Sequence, residues 1–182
     1  PDGPAVGAAP VTLLSRVRLP LVVLLVLVAQ TSLLVRLRFH DVHPEALLVL
    51  ALAAGIVAGP ERGAAVGFVA GLVADLFLET PFGLSALTYC IAAFAVGSVE
   101  SAVIDTTWWI SPLTVLGGSA AGVTLYVLVG SLVGQRQLSH HHPLVVLAVV
   151  SVTNAVLAVP VVPIVRWALP APPEHSYAQP PR

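Results

Sequence analysis

Long apolar runs separated by short polar punctuation dominate the chain. A helix needs about 20 mostly apolar residues to cross a bilayer core, with about 17 as the lower limit. Six stretches approach that length: about Leu19 to Val35, Ala46 to Gly59, Gly63 to Leu78, Gly83 to Val99, Pro112 to Val133, and Pro143 to Leu169. The second and third are short and parted only by GPERG, so they read either as two spans or as one re-entrant hairpin. Pro160 and Pro163 predict kinks in the sixth. The expected fold is an all-α integral membrane protein, a six-helix transmembrane bundle, or five helices if residues 46–78 form a hairpin. The transmembrane domain covers 16–169, and the Pro-rich stretches 1–15 and 170–182, which lack periodicity, are expected to be disordered cytoplasmic tails.

Composition agrees with this pattern. Hydrophobic residues make up 57% of the 182, charged residues 9%, and the mean hydropathy is +0.95. No separate water-soluble domain fits beside the spans. A net charge of −1 with no Arg-rich block excludes nucleic acid as a partner class. The single cysteine, Cys90, allows no internal disulfide and reads as a small buried hydrophobe. Arg16 and Arg18 before LPLVVLLVLVA resemble the start of a signal peptide, but five further spans follow. They dominate the orientation and put both termini in the cytoplasm: Arg16, Arg18, Arg62, Arg166 and Arg182 lie inside, against Arg36, Arg38 and Arg136 outside.

The chemistry-bearing positions are few. Gly63, Gly67, Gly71 and Asp75 recur at i+4 and form a ridge along the third helix. Gly118, Gly122, Gly130 and Gly134 repeat the spacing in the fifth, with Tyr126 in the row. Such faces let backbones approach where lipid offers no hydrophobic drive for association. They serve contacts inside this one chain or contact with a partner chain, a second copy included. Asp75 ends its ridge at a helix C-terminus, where a carboxylate opposes the macrodipole and needs compensation. The turn ETPFGLSAL, with Glu79, Pro81 and Gly83, brings the start of the fourth helix close, and its free N–H groups suit Asp75 or Glu79. The competing reading makes Asp75 a proton or cation site. Gln30, Thr153 and Asn154 are expected to form interhelical hydrogen bonds. His140 to His142 read as a solvated loop rather than a metal site, Trp108 and Trp109 as an interfacial anchor, and Arg36, Arg38, His40 and His43 as head-group or partner contacts. No catalytic constellation, cofactor motif or phosphate loop is present.

Residues 67–89, GFVAGLVADLFLETPFGLSALTY, resemble the central motif of the rod shape-determining protein MreD family. A Gly-x-x-x-Gly-Leu-x-x-Asp helix end followed by a Pro-x-Gly-Leu turn is matched by Gly67, Gly71, Leu72, Asp75, Pro81, Gly83, Leu84, Ala86 and Leu87. The resemblance implies a non-enzymatic subunit of the bacterial cell-elongation machinery in the inner membrane. Its implied partners are MreC, the RodA glycosyltransferase with a class B penicillin-binding protein, and, through them, MreB. It also implies a fold similar to the substrate-binding subunits of energy-coupling-factor vitamin transporters, which makes such a transporter subunit the alternative function.

Overall fold

The computed structural model describes residues 13–32, 45–77, 82–102, 110–132, 134 and 143–169. Among them are six helices: α1 (Leu13–Ser32), α2 (Ala46–Ala58), α3 (Pro60–Asp75), α4 (Leu84–Ala102), α5 (Ile110–Leu132) and α6 (Pro143–Ala168). α1 opens at Leu13, six positions before the apolar run itself, because the preceding LLSRVR contains no residue that breaks a helix. α4, α5 and α6 are long and apolar enough to cross a membrane.

α2 forms the axis of the bundle. Its sequence ALLVLALAAGIVA is apolar all round, which demands burial on every side. It packs against each of the other five helices, and eleven of its thirteen residues are buried. At about 1.5 Å per residue it is ~20 Å long, shorter than the ~30 Å hydrocarbon core. Its ends therefore need polar partners from the protein itself.

The break between α2 and α3 is made by Gly59, whose φ of +85° favours glycine. The Gly59 N–H bonds the Gly55 carbonyl at 3.0 Å, and the Gly63 N–H bonds the Gly59 carbonyl at 2.9 Å. Pro60 then starts α3 at the position where its missing N–H is harmless. Glu61 in the first turn suits the positive helix end. At the same end of the bundle as this break, the Arg18 guanidinium of α1 lies 4.8 Å from the ring centre of Trp167 on α6, a cation–π contact that ties the two helices together.

The ridge of α3 packs on α4 and α2, whereas α5 packs mainly on α4, α6 and α2. One detail departs from the sequence-based expectation. Gly134 lies beyond α5 with a φ of +89° and belongs to a turn, not to a helix face.

Candidate functional site

A seam of glycines brings the backbones of α2, α3 and α4 close together. A Cβ placed on Gly67 would lie 2.6 Å from the Tyr89 carbonyl oxygen, and one on Gly71 would lie 2.5 Å from both the Ala86 nitrogen and the Ser85 carbonyl oxygen. Gly63 faces the backbone of Gly55, and Gly55 in turn faces the Ala93 carbonyl. A Cβ on Gly97 would meet Pro60 at 2.8 Å. Backbone atoms cannot swing aside as side-chain ends can, so each of these positions requires glycine while the helices keep this spacing. Gly55 and Gly97 escape the sequence reading. Gly55 continues the i+4 row of Gly59 and Gly63 across the helix break, whereas Gly97 stands alone and gives no periodic signal.

The second glycine row is looser. A Cβ on Gly118 would meet Val96 Cγ2 at 2.6 Å, a side-chain methyl that can move. One on Gly122 would touch Leu48 at an ordinary 3.4 Å.

Asp75 closes the seam. It is 4% exposed, and its carboxylate accepts three backbone N–H bonds from the first turn of α4: Gly83 at 2.8 Å and Ala86 at 3.3 Å to Oδ2, and Ser85 at 3.1 Å to Oδ1. These are donors that no intrahelical acceptor could satisfy. The negative charge also faces the positive end of the α4 dipole. The carboxylate thus joins the C-terminus of α3 to the N-terminus of α4, with Gly83 at a φ of +98° making the entry. Glu79 and Pro81 lie outside the described residues, as do the His140 to His142 run, Trp108, Trp109, Arg36, Arg38, His40 and His43.

The start of α2 is capped in the same manner, but by distant helices. Asn154 Oδ1 of α6 accepts the Glu45 N–H at 3.1 Å, and Gln30 Oε1 of α1 accepts the Leu47 N–H at 3.0 Å. Asn154 also donates to Ser119 Oγ of α5 at 3.2 Å. Thr153 differs from its expected role: its hydroxyl bonds the Val149 and Val150 carbonyls of its own helix at 2.6 and 3.0 Å. A threonine hydroxyl on a helix reaches back one turn before it can reach a neighbour.

Two acids escape the sequence reading. Glu45, half-buried just ahead of α2, accepts the Tyr89 hydroxyl at 3.4 Å. Glu100, 7% exposed near the end of α4, accepts the Thr114 hydroxyl of α5 at 3.4 Å. Its other oxygen is buried without a hydrogen-bond partner. Both acids lie at the edges of apolar runs, where hydropathy gives no sign of burial.

No group of three or more His, Cys, Asp or Glu residues able to hold a metal occurs among the described residues. Cys90 is free and half-buried. The polar side chains at this site end helices and tie them together; Asp75, Gln30 and Asn154 act as acceptors for backbone donors.

The fold and site define an all-helical membrane protein whose polar groups serve helix packing. The sequence model of the family described as rod shape-determining protein MreD matches residues 12–169. The chain belongs to the MreD family. No curated sequence and no solved structure matches it significantly.

Proposed function

We propose that this protein is a non-enzymatic scaffold or regulatory subunit of the bacterial rod complex, binding MreC and supporting peptidoglycan synthesis beside RodA and its class B penicillin-binding protein. The observation that carries this reading is the family match over residues 12–169, a family described by its part in rod shape determination. In this reading the protein resides in the inner membrane with both termini cytoplasmic. The seam of α2, α3 and α4 holds one face rigid, and the single helix of MreC docks on the bundle exterior. Rigidity matters because a preformed surface spends less binding energy on ordering.

The test is co-purification with MreC. Gly71→Leu forces α3 off α4 and is expected to abolish recovery of MreC. Recovery at wild-type yield would count against the scaffold reading. The family's proposed likeness to energy-coupling-factor binding subunits gives the competing function. That function needs free polar groups around a pocket, whereas Gln30, Asn154 and Asp75 are engaged at helix starts. A stoichiometric vitamin found by mass spectrometry in the purified protein would favour the transporter.

A further inference from the structure

An open groove of about 510 Å³ runs between α5 and α6. Its walls are apolar and include Val152, Ala155, Val156 and Val159, and its end at the C-terminus of α6 holds Arg166 with Ser111. Arg166 is exposed, and among the described residues no carboxylate pairs with it. The guanidinium suits the negative end of α6, yet that use leaves most of its five donors open.

From Val152 to Arg166 the α6 wall advances fourteen residues, about 21 Å at the helical rise, a length that suits a single hydrocarbon chain, and the volume falls in the ~300–1,000 Å³ range of small-ligand sites. The charge at one end then selects the head group, since guanidinium matches phosphate in a bidentate manner.

We propose that this groove binds an acyl chain of an anionic phospholipid, with Arg166 holding the phosphate. The site is separate from the glycine seam and does not depend on the identity of the protein partner.

The experiment is native mass spectrometry of the full chain in mild detergent, titrated with dioleoylphosphatidylglycerol or dioleoylphosphatidylcholine. Wild type is compared with Arg166→Gln, Ala155→Phe, which fills the groove, and Arg62→Gln, which removes an exposed arginine on another part of the bundle. Phosphatidylglycerol affinity is expected to fall about five-fold in Arg166→Gln, the loss of one arginine near a head group, and at least as far in Ala155→Phe. Arg62→Gln should leave it unchanged, and phosphatidylcholine should bind wild type more weakly and ignore Arg166→Gln. Should Arg166→Gln fail to fold by circular dichroism, Ala155→Phe carries the test alone. Equal phosphatidylglycerol affinity in folded Arg166→Gln and Ala155→Phe would overturn the proposal. So would an equal loss in Arg62→Gln, or a wild-type dimer that Ala155→Phe dissolves.

Discussion

Replacing Gly71 by alanine adds one methyl group at the tightest part of the seam. The new Cβ would stand 2.5 Å from the Ala86 nitrogen and the Ser85 carbonyl oxygen, where ordinary contact begins near 3.4 Å. These obstacles, with the still nearer Ala86 Cα, are all backbone, so α3 must withdraw from α4 by at least about 0.9 Å. That movement carries the Asp75 bonds to Gly83, Ser85 and Ala86, now 2.8, 3.1 and 3.3 Å, past the ~3.5 Å limit of a hydrogen bond. Overpacking costs about 1–3 kcal/mol, and a hydrogen bond to a charged group contributes about 1.5–3 kcal/mol. Losing even one of the three bonds outright puts the total near 3 kcal/mol or above. The assay is equilibrium unfolding in mixed detergent micelles, with Gly117→Ala as reference because a Cβ there meets nothing within 4 Å. A double-mutant cycle with Asp75→Ala adds a sharper criterion: if the methyl acts by breaking the Asp75 bonds, the double variant loses less than the sum of the singles. Gly71→Ala as stable as Gly117→Ala would refute the reasoning, as would strict additivity with Asp75→Ala.

Other expectations follow from the same geometry. Gly118→Ala should cost less than Gly71→Ala, because the Val96 methyl it meets can rotate away; the same unfolding assay ranks them. Asn154→Leu should destabilise by about 1–3 kcal/mol, since it strands the Glu45 N–H, while Thr153→Val should stay within about 0.5 kcal/mol because that hydroxyl bonds only its own helix.

Helix positions were legible in the sequence because lipid imposes a length and a composition on each span, and the ends of α2 and α6 lie within one residue of the apolar runs. The contact between Asp75 and the start of α4 was legible for a different reason: acceptor and donors are separated by a short turn, eight to eleven positions along the chain. The cap on α2 was not, because Asn154 meets Glu45 across 109 positions, and no local pattern encodes that pairing. The same holds for Gly55 and Gly97, whose need for glycine exists only once α2, α3 and α4 have come together. Thr153 shows the converse: a polar residue at depth reads as glue between helices, yet its own backbone satisfies it first.

The Asp75 carboxylate holds the start of α4 by its free N–H groups and so fixes α3 against α4. Residue-resolved amide hydrogen exchange on wild type and Asp75→Ala tests it most directly. Slow exchange is expected at Gly83, Ser85 and Ala86 in wild type, with acceleration of about ten-fold or more in the variant, as follows from losing a charge-assisted bond of ~1.5 kcal/mol or more. Unchanged protection of those three amides in Asp75→Ala would contradict it.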